Sequence, residues 1–211
     1  MDISTFFVHA AGHRLRVQHI RTSEDSASAK PTLVFLHEGL GCIEFWRDFP
    51  QHLCRISKLN GIVYDRKGYG ESSPYHGRWA KDYLVEEADV DLPSLLRACK
   101  VNDVILIGHS DGGSIALLAA AMHGYMVRGV ITEAAHIFVE EETLRGIRKF
   151  MEKYEKNELK RKIARFHGKE TDTVVYRWAD TWLDPEFRDW NIEAFLPQIS
   201  CPLLVLQGTD D

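Results

Sequence analysis

The stretch Val104-Ile-Leu-Ile-Gly108-His109-Ser110-Asp111-Gly112-Gly113-Ser-Ile-Ala-Leu-Leu118 decides how the rest of the chain is read. Its first half is a short apolar run that predicts a buried strand, and its second half has the spacing of a helix. Strand therefore passes to helix within one tight turn. Glycines at 108 and 112 remove the side chains that would collide where the two elements approach each other. A serine held in that corner projects its hydroxyl above the sheet at a helix N-terminus, and the N–H of Asp111 faces the place where an oxyanion would form. Ser110 is the expected nucleophile, and Asp111 supplies half of the expected oxyanion hole.

Outward from this corner, further apolar runs recur at Leu33 to Leu36, Ile62 to Tyr64, Val127 to Ile131 and Leu203 to Leu206, and runs apolar on both faces suit a buried parallel sheet. Helical patterns at Phe45 to Ile56, Ala80 to Cys99 and Ser110 to His123 alternate with them, which predicts an α/β fold with right-handed crossovers. Ahead of these, Phe6 to His9 and Leu15 to His19 flank Ala-Gly-His and read as an antiparallel hairpin. The alternation breaks after Ala135. Leu144, Ile147, Met151 and Tyr154, then Leu159, Ile163 and Phe166, then Trp178 and Trp182 carry helical spacing instead. The expected organisation is a core over residues 1–136, a helical lid inserted over 137–198, and a return to the core over 199–211.

The second oxyanion donor should come from Leu36-His37-Glu38-Gly39-Leu40-Gly41, where small residues free the backbone, and Gly39 and Leu40 are the candidates. The last run ends in Gly208-Thr209-Asp210-Asp211. Asp211 is the favoured acid to orient a histidine, with Glu133, at the end of the preceding strand, as the alternative. For Asp111 a second reading is a first-turn acid that interacts with the helix dipole alone. His37, His109, His136 and His167 read as structural histidines near the site. Trp178 and Trp182 are candidates to line a substrate pocket, although aromatics at this spacing also build helical cores.

Together, Gly-His-Ser-Asp-Gly-Gly, the His-Glu-Gly-Leu-Gly loop, Asp65-Arg66-Lys67-Gly68-Tyr69-Gly70-Glu71-Ser72 and the terminal Gly-Thr-Asp-Asp resemble a capped α/β-hydrolase over the whole chain. That resemblance implies a mostly parallel α/β-hydrolase sheet and a serine hydrolase that cleaves ester-like small molecules through an acyl-enzyme, with carbon–carbon bond cleavage also open. The Ser110-Asp111-Gly112-Gly113 elbow and the Val174 to Trp182 segment are similar to the valacyclovir-hydrolase-like group, in which the acid after the nucleophile holds a substrate ammonium; here that role falls on Asp111. Where the family has His-Gly, this chain has His37-Glu38, and the extra carboxylate would alter the substrate charge preferred. The family order is serine, acid, histidine, yet all 10 histidines precede Asp211. The triad histidine, with the last strand and helix, is therefore expected beyond residue 211. A non-catalytic binding protein of the same fold is the alternative.

Composition agrees with this class. With 211 residues, 45% hydrophobic, the chain can bury one sizeable core. Its net charge of -5, from 26 basic and 31 acidic residues interleaved along the sequence, argues against nucleic acid as a partner. Cys42, Cys54, Cys99 and Cys201 lack the pairing of a zinc or dithiol motif and read as reduced residues. Without a signal-like start or an apolar run long enough to span a bilayer, a cytoplasmic protein is expected. No metal or organic cofactor is expected, and the sequence leaves the oligomeric state open.

Overall fold

The computed structural model describes residues 1–22 and 30–209. Strands β1 (Asp2–Ala10) and β2 (His13–Arg21) form the hairpin, turning at Ala11 and Gly12, both with positive φ. A two-residue turn of that hand matches the twist of the strands it joins. Both strands run longer than the alternation indicated. β1 is a mostly exposed edge held by backbone pairing from Asp2↔Arg21 to Ala10↔His13, so its ends needed no apolar side chains to mark them.

Strands β3 (Thr32–Leu36), β4 (Gly61–Tyr64), β5 (Val104–His109), β6 (Val127–Glu133) and β7 (Leu203–Leu206) complete one sheet in the order β1-β2-β4-β3-β5-β6-β7. β2 meets β4 antiparallel, and every pairing from β4 to β7 is parallel. The expected mostly parallel sheet with an antiparallel start is what forms. Val34, Phe35, Leu36 and Val63 are fully buried, as strands covered on both faces require. Leu203 to Leu206 differ from expectation: they are 43–56% exposed, because β7 lies at the sheet edge and, among the described residues, pairs with β6 alone.

The expected helix Phe45 to Ile56 is broken into a 3-10 turn, Ile43–Trp46, and α1, Phe49–Ser57. Arg47 at φ 51 separates them, and Pro50 sits in the first turn of α1, where its missing N–H costs nothing. Helices α2 (Tyr83–Glu86) and α3 (Leu92–Ala98) flank a π-turn at Glu87–Asp91, directly ahead of Pro93. A proline that cannot donate to the preceding turn lets the carbonyl spacing widen there. Helix α4 (Asp111–Met122) follows β5 with Ser110 at its cap.

Between β6 and β7 lie α5 (Glu141–Glu155), α6 (Lys160–His167) and α7 (Thr171–Leu183). The stripe read along α5 is its packed face: Leu144, Ile147 and Tyr154 are buried. Cys42 and Cys54 are buried, and all 4 cysteines are free thiols. Among the described residues, no helix is long and apolar enough to cross a membrane.

Candidate active site

Ser110 stands at φ 52, ψ -120, between β5 and α4. A non-glycine residue in that region of backbone space costs on the order of 1–3 kcal/mol and persists only where its surroundings impose it. Here they do. The Ser110 N–H donates to the Glu133 carbonyl at 2.9 Å, and the Ser110 carbonyl accepts from Gly113 at 2.8 Å and Ser114 at 3.1 Å. A Cβ at 108 would run into the backbone of Gly112 and Gly113, and one at 112 into the carbonyls of Leu36 and His37. Two backbone segments, neither able to yield, therefore fix glycine at both positions.

The loop after β3 is held from behind. His37 is fully buried; its Nδ1 lies 2.7 Å from the Glu38 carbonyl and its Nε2 accepts the Arg66 N–H at 3.1 Å. Nδ1 therefore carries the proton. Burial, reinforced by the Arg66 charge, keeps the imidazole well below its ordinary pKa and hence neutral. Arg66 Nη2 donates to the same Glu38 carbonyl at 3.1 Å. Since the peptide is planar and trans, a carbonyl pinned toward Arg66 turns the Gly39 N–H the opposite way. From α6, His167 meets the loop too: Nε2 is 2.9 Å from the Leu40 carbonyl while Nδ1 accepts the Gly70 N–H at 3.1 Å.

Several residues singled out in the sequence meet here. The Cβ direction of Gly39 points at the Trp178 indole, with Asp111 Oδ2 at 3.2 Å, so β3, α4 and α7 converge on this point. Asp111 is 1% exposed. Its Oδ2 accepts from the Tyr83 hydroxyl at 2.8 Å and lies 3.9 Å from Arg66 Nη2. On the far side of Arg66, Nη1 is 4.0 Å from Glu87 Oε1, and desolvation pushes the Glu87 carboxyl upward. Glu38 is the more accessible carboxylate of the loop, 3.6 Å from His109 Nδ1.

Trp182 stands elsewhere than at the cleft surface. At 1% exposure it packs against Phe187 and Trp190, its Nε1 donates to Tyr83 at 3.2 Å, and its ring meets His136 at 5.0 Å and 62°. Trp178 and Trp182, one turn apart on α7, thus serve different surroundings. His136, read from the sequence as structural, places Nε2 3.4 Å from Ser110 Oγ, and its carbonyl accepts from Ser114 Oγ at 2.5 Å. It follows β6, the strand beside β5.

Asp211, the expected acid, and Asp210 lie outside the described residues. The chain leading to them, Gln207 to Thr209, lines an open cleft of about 750 Å³ with His109 and Glu133. Among the described residues, Cys42, Glu44 and Asp65 bring potential metal ligands together. Asp65 accepts the N–H groups of Ile43 and Glu71, Cys42 Sγ donates to Glu44 at 3.1 Å, and Arg16 stands 2.7 Å from Glu44. Arg16 thus already places a positive charge beside these two carboxylates.

A family model described as alpha/beta hydrolase fold matches residues 31–200. Serine hydrolase BPHL of Mus musculus is 29% identical over 175 residues, covering 78% of this chain and 58% of the relative, so the chain spans little more than half of that protein's length. Among solved structures, a bacterial membrane phospholipase A superposes with a TM-score of 0.73 at 20% identity, over 98% of this chain and 70% of that one. An esterase from Exiguobacterium antarcticum reaches 0.72 at 18% identity, over 99% and 82%. At such identities these two speak for the fold alone.

Proposed function

Because the chain belongs to the α/β-hydrolase fold family, we propose that it is a serine hydrolase acting on small ester-like substrates, with Ser110 as nucleophile. The observation that carries this reading is the Ser110 corner itself, a strained φ of 52 held by backbone on both sides at the N-terminus of α4. Ser110 Oγ attacks the carbonyl carbon, its proton passes to a base, and the oxyanion is met by the Asp111 N–H together with Gly39 or Leu40. Collapse expels the alcohol, and water releases the acid from the acyl-enzyme. Asp211 is the orienting acid, and the helices of 137–198 roof the cleft, with Trp178 on its wall.

Charge selection in this reading divides between two carboxylates. Asp111 would hold a substrate ammonium, but Tyr83 and Arg66 already draw on its charge, whereas Glu38 is half-buried beside His109. Turnover of neutral and α-amino esters by wild type, Ser110→Ala, Asp111→Asn and Glu38→Gln tests the scheme. The expected outcome is loss of all turnover in Ser110→Ala and a KM for amino esters, but not neutral esters, raised in the carboxylate variants. Turnover that survives Ser110→Ala would overturn the nucleophile; equal effects on both esters would overturn amine recognition.

A further inference from the structure

We propose that His167 is a positioning residue for the oxyanion turn: from α6, its imidazole fixes the Leu40–Gly41 peptide, so that the turn reaches working geometry only with α6 seated on the core. This inference rests on the serine-hydrolase reading above, which draws the second oxyanion donor from Gly39 or Leu40.

The turn is closed by the Gly41 N–H, which donates to the Glu38 carbonyl at 3.1 Å. A four-residue turn closed in this way leaves the N–H groups of its two central residues, Gly39 and Leu40, outside the ring. Their direction is set by the peptide planes on either side, because each plane is rigid and turns as a unit. On the first side, the Glu38 carbonyl is gripped by His37 Nδ1 at 2.7 Å and Arg66 Nη2 at 3.1 Å. On the second, the Leu40 carbonyl meets His167 Nε2 at 2.9 Å. The Gly39–Leu40 peptide, which carries the Leu40 N–H, lies between these two planes.

The two histidines work in the same manner. Each turns one ring nitrogen to a carbonyl of the turn and uses the other to accept an N–H from the loop after β4, that of Arg66 for His37 and that of Gly70 for His167, both at 3.1 Å. His167 is therefore neutral with its proton on Nε2, since a protonated Nδ1 could not accept from Gly70. Burial holds its pKa below the ordinary histidine value, against the pull of the Leu40 bond and of the Glu38 and Glu44 charges and with the help of Arg177. The rings of Tyr69 and Phe45 flank it at 6.1 Å and 6.5 Å. Its anchor on the far side is stiff: Gly70 stands at φ 52, where a Cβ would run into the Asp65 carboxylate, and Asp65 Oδ2 accepts the next N–H, that of Glu71. The difference between the two histidines is their origin. His37 follows β3 directly, whereas His167 arrives from the helices between β6 and β7, so the second grip on the turn exists only while α6 is docked.

Ring-nitrogen NMR and amide hydrogen exchange on the folded chain test this, together with turnover of a neutral ester by the protein that includes the histidine expected beyond residue 211. His167→Phe keeps a ring and loses both bonds, whereas the amide of His167→Gln can donate to Leu40 and accept from Gly70. The wild-type ring should carry its proton on Nε2. In His167→Phe, exchange of the Gly41 N–H should quicken about tenfold. Its kcat should fall about tenfold with KM held within about twofold, because the turn acts on the transition-state oxyanion. His167→Gln should recover most of both. A proton on Nδ1, Gly41 exchange or kcat within about twofold of wild type in folded His167→Phe, or a loss that glutamine does not recover would each overturn the inference. If His167→Phe does not fold, His167→Asn, whose shorter amide cannot span both partners, is held to the same limits. Absence of turnover in folded wild type would overturn the ester-cleaving reading and the catalytic part of this inference with it. Exchange of the Gly41 N–H, which needs no catalysis, decides separately whether His167 holds the turn.

Discussion

On one side of Ser110 the chain packs charge, and on the other it packs rings. Behind Asp111 stand Arg66, fully buried, and Glu87, 1% exposed; behind His136 stand Trp182, Phe187 and Trp190, all buried. The aromatic flank is held by shape and dispersion, which are indifferent to protonation. The charged flank is held by pairing in a low dielectric, where a lone partner is far worse than none. Tyr83 joins the two, taking a hydrogen bond from Trp182 and giving one to Asp111. A serine in a strained turn is thus braced by two kinds of force with different responses to pH.

The largest effect should come from Arg66→Met, which strands Glu87 and Asp111 in the interior; removing one partner from a buried charge cluster costs about 3–5 kcal/mol. Trp182→Ala should cost a similar 3–5 kcal/mol through the cavity it opens. Urea denaturation at two pH values separates them. The cost of Arg66→Met should grow from pH 5 to pH 8 as Glu87 ionises without a counter-charge, while that of Trp182→Ala should stay constant. Matching pH responses would erase the distinction between the flanks.

Smaller changes sharpen it. Tyr83→Phe deletes the one hydroxyl shared by both flanks and should cost about 1–3 kcal/mol, because the Trp182 N–H loses its acceptor and Asp111 its donor. A double-mutant cycle with Trp182→Phe should show coupling; additive losses would mean that the flanks are independent.

Glu87→Gln addresses the sign of the pH effect. Burial raises the folded-state pKa of this carboxyl above its unfolded value, so the folded chain keeps a proton that the unfolded chain has released. Stability should fall as pH rises through that window, by up to about 1.4 kcal/mol for each unit of difference, and Glu87→Gln should flatten the fall. Asp65, pushed up to about 6 by desolvation, leaves a residual slope of the same sign. A pH profile steeper in Glu87→Gln than in wild type would contradict the burial argument. The smallest effect, within about 0.5 kcal/mol in thermal melting, is expected from Arg145→Ala on the exposed face of α5, where an ion pair to Glu142 is open to solvent.

What the sequence disclosed follows the same division. The Ser110 corner was legible because strand, glycines, serine and helix are consecutive, and the sheet was legible because its parallel strands carry apolar runs. Contacts between distant segments were not. Arg66, Glu87 and Asp111 come from three separate elements, and nothing in their local patterns announces that they meet. The approach of His136 Nε2 to within 3.4 Å of Ser110 Oγ is another such contact. On α7, helical spacing put Trp178 and Trp182 on one face but could not say that the first meets Gly39 while the second is enclosed by Phe187 and Trp190. The exposure of β7 was also hidden, since an apolar run does not reveal whether its strand lies inside a sheet or at its edge.

The proposed chemistry depends on the hydroxyl at position 110 being the reactive one. Peptide mapping by mass spectrometry after reaction with a fluorophosphonate tests it most directly. A single adduct on Ser110, absent from Ser110→Ala, is the expected result; an adduct on Ser114 or another serine, or none on Ser110 in the folded protein, would contradict it.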